Sequence, residues 1–338
     1  APVQQRISLE ELKKNIFTLP DRPDWVPYRT SYFQKKWAFC LSQNQLDAMS
    51  DKEYDICIDA EHKKGHLTYG EVFIKGQTKK EFLFSTHICH PSLCNDNLSG
   101  ISVAIELIKH LQSINPYYSY RFLFVPGTIG SIAWLSQNED KTKNIEHGLV
   151  ITLLGDKSNF TYKKSRRGDT VIDQACQLFL SQHYPEHTIL DFIPYGYDER
   201  QYCSPGFNLP VGCFTRKPHG EFPEYHTSGD NLDFVSEEQL QESLDALKTI
   251  VDMVETNRTY INLNPKCEPL LGKRGLYDKI GGTNETQQMQ LASLWVLNQS
   301  DGTNALLDIA QKSGMEYRLI KNAAQALIDC SLLKETEA

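Results

Sequence analysis

No apolar run in this 338-residue chain approaches the ~18–20 residues that a membrane-crossing helix requires. Nor does the start, APVQQRISLEELKKN, show the charged-then-apolar order of a secretory signal. The chain therefore reads as soluble and cytoplasmic. It has no CxxC pair, and its nine cysteines are an odd number scattered from Cys40 to Cys330. That distribution offers no disulfide framework and fits reduced thiols. A Walker loop, GxGxxG, GxSxG and HExxH are all missing, which removes the common nucleotide-binding and serine-nucleophile chemistries. Excess positive charge is lacking too: 35 Lys and Arg stand against 43 Asp and Glu, a net charge of -8, so no broad basic surface awaits a polyanion.

What is present suffices for a large core, with 40% apolar and 10% aromatic residues. The length predicts one dominant core with appendages. Residues 8–18, SLEELKKNIFT, carry a capping serine, Glu three positions later and apolar residues at helical spacing. These first 27 residues are read as the N-terminal part of the core. Residues 28–78 turn to aromatic and β-branched runs with polar breaks and are expected to form a small β-rich module. The aromatic residues Trp25, just ahead of it, and Tyr28, Tyr32, Phe33 and Trp37 within it suit either a core or a sugar or peptide platform.

From 79 to 262 strands alternate with helices. EFLFSTH leads through a polar loop to the helical pattern LSGISVAIELIKHLQSI, and RFLFV and HGLVITLL repeat the theme. This is an α/β pattern, whose ligand sites lie beyond the C-terminal ends of strands. The Pro- and Gly-containing stretch NLNPKCEPLLGKRG marks a linker. The final segment, 263–338, holds three helical patterns with short breaks, a winged-helix-like appendage. Its third helix carries only Arg318 and Lys321 and the tail ends KETEA, so packing or oligomerisation, not nucleic acid, is its expected use.

The segment THICHPSLCNDNLSG places His87 and His90 just past a strand and Asp96 in a turn that opens a helix. Neutral nitrogen and anionic oxygen converging at a strand end suit zinc. Equally, Asp96 could cap the helix and the histidines could bond loop backbone. EFPEYHTSGDNLDFV adds His226 in a loop flanked by acids.

CNDNLSG and EYHTSGDNLDFV resemble the metal motifs of zinc aminopeptidases of the M28 type. More closely, THICHPS, TYKKSRRGD, GYDERQYCSPGF and PHGEFPEYHTS resemble a bacterial family of aminopeptidase-like, polysaccharide-biosynthesis-associated proteins of the DUF4910 type. The resemblance spans nearly the whole chain. It implies an M28-type mixed α/β sheet flanked by helices, an inserted β-rich domain and a C-terminal winged helix. Members usually carry a further N-terminal stretch, so a fragment or shortened form is expected. Carried over, His87, Asp96 and His226 become metal ligands. Where the aminopeptidases have Glu-Glu, a general base and a ligand, this chain has Gly127-Thr128; where they have an aspartate ligand, it has Thr152; and Cys89 replaces the acid two residues after the first histidine.

These departures leave too few ligands for two ions. The expectation is one zinc on His87, Asp96 and His226 with a fourth position open, His90 and Asp156 being the alternatives. A proton acceptor must come from elsewhere: Glu199 first, then Asp198, with Glu221 and Glu224 near the last ligand. In TYKKSRRGD the cluster Lys163, Lys164, Arg166 and Arg167 suits a solvated face or an anion site, with Tyr197, Arg200 and Tyr202 in the same pocket. The expected activity is zinc-dependent hydrolysis of an amide or peptide bond in a small, anion-bearing substrate. A degenerate metal-binding module, and acyl transfer or cyclisation of the glutaminyl-cyclase kind, are the alternatives.

Overall fold

The computed structural model describes residues 1–31, 34–276 and 284–336; Tyr32 and Phe33 of the expected aromatic platform lie outside the described residues. The centre is a seven-stranded mixed sheet. In spatial order its strands are Thr188–Leu190, Thr161–Lys163, Val211–Thr215, Ile145–Ile151, Glu81–His87, Ser119–Val125 and Gly70–Ile74. The middle four, from Val211–Thr215 to Ser119–Val125, run parallel.

Alternation along these strands feeds two cores, as period-2 side-chain placement requires. Phe82, Phe84, Phe122, Leu149 and Ile151 pack with the helices Gly100–Gln112, Val171–His183 and Glu237–Thr256 on one face. Leu83, Leu123 and Val150 meet Trp134 and Tyr202 on the other. Glu81–His87 lies between Ser119–Val125, the next strand in sequence, and Ile145–Ile151, the one after, so connections leave it to both sides. Such a reversal opens a crevice at the strand's C-terminal end, where His87 stands.

The segment 28–78 is not a separate module. Glu53–Ile58 pairs antiparallel with Val3–Ser8, Phe39–Cys40 pairs with Ile16–Phe17, and Gly70–Ile74 forms an edge of the central sheet against Ser119–Val125. Hydrophobic pattern identifies strands but leaves their long-range partners open, which is why the sequence boundary at 27/28 has no structural counterpart. The winged helix comprises Asn284–Gln299, Leu306–Ser313 and Tyr317–Asp329 with a three-stranded sheet. That sheet includes Thr259–Asn262, ahead of the expected start at 263. The domain shares a continuous apolar core with the sheet domain and is fastened to it by Tyr317 Oη donating to the Met253 carbonyl at 3.0 Å and Lys321 on Asp252 at 2.7 Å. Among the described residues no helix is long and apolar enough to cross a membrane.

His147 lies inside the core, edge-on to Phe82 and Tyr118, and neither ring nitrogen has a hydrogen-bond partner. Burial, aided by Lys80 and Arg258, lowers its pKa to about 3. The unfolded chain takes up this proton below about pH 6.5 and the folded chain resists it. Stability is thus complete above that pH and lost as pH falls toward 3, by up to about 1.4 kcal/mol per pH unit. In urea titrations between neutral pH and pH 4, His147→Leu is expected to flatten this acid loss; an unchanged pH slope would remove His147 as its source.

Candidate metal centre

The crevice is assembled from strand ends. His87 closes Glu81–His87, Gly127 follows Ser119–Val125, Thr152 follows Ile145–Ile151, and His219 and His226 follow Val211–Thr215. Asp96 is at its focus, fully buried. Its Oδ1 lies 2.6 Å from His87 Nε2, and its Oδ2 lies 3.0 Å from His226 Nε2 and 3.9 Å from His90 Nε2. Burial works against ionisation of Asp96, but the contacts with His226 and His87 outweigh it and hold the carboxyl well below the usual range. Burial in turn lowers His87, favouring the neutral imidazole that a metal needs.

The loop that delivers Asp96 is braced by the side chains on either side of it and by Asp230. Asp230 accepts the backbone N–H groups of Asn95 and Asp96 at 2.5 and 2.8 Å. Asn95 donates to Asp156 and accepts from Gly155 N–H, while Asn97 donates to Thr86 and to the His87 carbonyl. Asp156 is thereby committed as a support: its other oxygen accepts the Ser158 N–H at 2.7 Å. His226 has a left-handed backbone, φ 55°, and its carbonyl accepts the Tyr28 N–H at 2.8 Å.

The donor set fits a metal ion. Asp96 Oδ2, His226 Nε2, His87 Nδ1 and His90 Nδ1 are buried without a hydrogen-bond partner, and the 3.0 Å approach of His226 to Asp96 is too poorly aligned to be a hydrogen bond. Ligand atoms around a tetrahedral zinc at 2.0–2.1 Å stand roughly 3.3 Å apart. The separations of His226 and His90 from Asp96 Oδ2, 3.0 and 3.9 Å, bracket that spacing, while His87 Nε2 is hydrogen-bonded to Oδ1 at 2.6 Å. His87, His90 and Asp96 by themselves form a group able to hold an ion.

The two places where aminopeptidase ligands are missing are filled. A Cβ on Gly127 would lie 2.0 Å from Cε1 of Tyr197, so the tyrosine ring occupies the room that a larger side chain there would need. Thr152 Oγ1 meets His219 Nε2 at 3.4 Å, and the His219 ring stacks on Tyr197 with centroids 4.6 Å apart. Burial lowers His219 to about 3 and raises Tyr197, the latter with help from Cys89, whose Sγ is 3.3 Å from Tyr197 Oη. Tyr197 also lies against His87, at 4.1 Å between ring centroids.

Other expected roles change. Glu199 is buried in an ion pair with Lys163 at 2.8 Å and accepts the Tyr197 backbone N–H, so it is a brace for this loop and not a free base. The close approach of Gly196, at φ 134°, leaves room for that pair. Asp198 accepts from Ser131 at 2.8 Å, has one oxygen without a partner, and is pushed up by burial to about 7.

TYKKSRRGD forms no anion cluster. Lys163 pairs with Glu199, Lys164 with Asp191, Arg166 donates to Asn208, and Arg167 is exposed. The motif instead caps the helix Val171–His183, with Asp173 accepting from Ser165 and Thr170. Arg200 is half-buried with Nε unpartnered, and Tyr202 is a core residue bonded to Ser85. The places of His219 beside Tyr197 and of Tyr28 against His90 and His226 are set by tertiary contacts that the sequence does not display. The one signal for His219 was its place after the strand LPVGCFT.

A mixed α/β sheet of the zinc-aminopeptidase kind, followed by a winged-helix domain, is the class these features define. Residues 7–257 match the family described as "Domain of unknown function (DUF4910)", and residues 258–335 match a winged helix-turn-helix family. The chain belongs to the DUF4910 family. A Clostridium acetobutylicum protein named "Putative polysaccharide biosynthesis protein with aminopeptidase-like domain" is 49% identical over 98% of this chain and 76% of its own length. A crystal structure titled as a putative peptidase from Clostridium acetobutylicum superposes with a TM-score of 0.94 at 47% identity, over 99% of this chain and 76% of that one. BSAP, a zinc aminopeptidase from Bacillus subtilis, aligns at 18% identity and a TM-score of 0.46, over 55% of this chain and 49% of that one.

Proposed function

We propose that this aminopeptidase-like domain is a hydrolase with a single zinc at His87, Asp96 and His226, His90 adjoining, that cleaves an amide or peptide bond in a small, anion-bearing substrate. The observation that carries this reading is the convergence of three imidazoles on one buried carboxylate, with nitrogens and an oxygen left unpartnered. The Tyr197–His219 stack fills the places of the missing ligands and supports one ion in preference to two.

When bound, the ion supplies Lewis-acid polarisation of a carbonyl. Tyr197 donates its phenolic hydrogen to the oxygen that gains charge, held in position by His219. Asp198, with an unpartnered oxygen and a pKa near 7, takes a proton from the attacking water as the water oxygen bonds the carbonyl carbon, and returns that proton to the amine nitrogen as the C–N bond breaks. Tyr28, edge-on to His90 and His226 at 5.1 Å, shields the ligands from water on that side. We assign the chain to the cytoplasm, where its nine free cysteines would remain reduced. The winged helix is taken as a packing element, because Arg318 and Lys321 are both ion-paired.

Protein purified without chelator is expected to hold about one equivalent of zinc and to hydrolyse aminoacyl amides or short peptides. Asp198→Asn is expected to lower kcat about 10²- to 10⁴-fold with the metal retained. Zinc below about half an equivalent would remove the ligand assignment. Bound metal without hydrolysis would favour the binding-module reading, and closure of N-terminal glutaminyl peptides would favour cyclisation.

A further inference from the structure

The His226 side of the centre is walled by the N-terminal segment. A cavity of about 410 Å³ lies between His226 and Tyr225 on one wall and Arg22, Tyr28 and Arg29 on the other. This wall is fixed to the ligand loop. Tyr28 N–H donates to the His226 carbonyl, Ser228 N–H donates to the Val26 carbonyl at 2.8 Å, Val26 N–H donates to Ser228 Oγ at 2.9 Å, and Pro27 bridges Thr227. Arg29 also lines a second cavity, of about 1070 Å³, with Lys35, Lys36, Phe17 and Trp37. Arg29 thus lines both cavities.

Charge along this path opposes that of the whole protein. Asp21 is the one carboxylate among the described residues lining either cavity. Lys14 is paired with Glu11, while Arg22, Arg29, Lys35 and Lys36 are exposed and have no ion-pair partner among the described residues. Arg22 lies over the Trp25 ring at 4.8 Å and Arg29 over Phe17 at 5.4 Å, contacts that orient guanidinium groups without consuming their hydrogen-bond donors. In a chain of net charge -8 a path that carries four unpaired basic groups against one carboxylate and begins beside His226 is a selective feature, felt at contact distance.

We infer that this trough binds the acidic portion of an extended peptide whose reacting bond lies at the metal centre, its carboxylates running along Arg22, Arg29, Lys35 and Lys36. The inference rests on the proposed hydrolase reading for the reacting end alone. It moves anion recognition from Arg166 and Arg167 to the N-terminal segment.

The test is equilibrium binding, by calorimetry, of two peptides that differ only in charge: alanine followed by three glutamates, and alanine followed by three glutamines. Both are titrated into the full chain, zinc-loaded and chelator-stripped. The acidic peptide is expected to bind about tenfold or more tighter in both states, with the margin shrinking as salt rises. Arg22→Gln with Arg29→Gln should abolish the margin, Arg29→Lys should keep most of it, and Arg166→Gln with Arg167→Gln should leave it intact. Circular dichroism and zinc content report that each variant is folded. Because the margin is read without turnover, absence of hydrolysis with charge selectivity preserved would sink the catalytic reading and leave the trough standing. Equal affinity for the two peptides, or an equal loss in the Arg166/Arg167 variant, overturns the trough. Tripolyphosphate binding as tightly as the acidic peptide overturns the peptide assignment.

Discussion

Replacing Asp96 by Ala is expected to weaken metal binding on the order of a hundredfold or more and to remove activity with it. This carboxylate is the one group that all three imidazoles approach, at 2.6, 3.0 and 3.9 Å, and it is fully buried. Without it His87, His90 and His226 face one another with no anion to offset a divalent ion, and two ligand lone pairs are gone. Even changes that only orient a ligand cost 10- to 100-fold in affinity, so loss of the shared ligand should cost on the order of a hundredfold or more. Chelator-competition titration measures this directly. Asp230→Asn provides the graded comparison: it touches no imidazole but holds the Asn95 and Asp96 N–H groups, so its loss should be roughly 10- to 100-fold. Wild-type zinc affinity in Asp96→Ala would falsify the ligand set.

Gly127→Ala is expected to have a large effect as well, although it adds one methyl group. Its Cβ would fall 2.0 Å from Tyr197 Cε1 and 2.7 Å from Tyr197 Oη, closer than non-bonded atoms can approach. The ring cannot yield easily, because His219 stacks on one face and His87 lies against it at 4.1 Å. Overpacking of this kind costs about 1–3 kcal/mol, and displacement of the phenol should lower kcat by about a hundredfold or more through loss of one oxyanion donor. Zinc content should be unchanged, since no ligand moves out of reach. The double substitution Gly127→Ala with Tyr197→Ala should recover the stability lost in Gly127→Ala relative to Tyr197→Ala alone. Additive losses in urea unfolding would show that the methyl group and the ring do not compete.

The fold class and the cluster of His87, His90 and Asp96 were legible in the sequence because they depend on local signals. Apolar strands that break into Gly-, Asn- and Ser-containing loops announce α/β units, and His87, His90 and Asp96 lie within ten residues of one another. His226 is far along the chain, and it was found through the resemblance of its motif. The charge run at 163–167 was misleading for a physical reason: a cluster in sequence says nothing about direction. Alternate residues of a strand point to opposite sides, so Lys163 enters the interior to meet Glu199 while Lys164 reaches Asp191 near the surface. Glu199 and Asp198 are neighbours in sequence with opposite fates, one neutralised by a lysine and the other left with a free oxygen.

By itself, then, the sequence determined the alternating strand–helix architecture, the three-helix appendage and the gathering of His87, His90 and Asp96 at one strand end, all of which follow from hydrophobic period, turn chemistry and closely spaced donors. Tertiary structure alone decided that Gly127 makes room for Tyr197, that His219 stands at Thr152, and that residues from Leu19 to Arg29 wall the centre beside His226. Those facts join residues about 70, 67 and 200 positions apart, and only the packing of strand ends around one crevice brings them together.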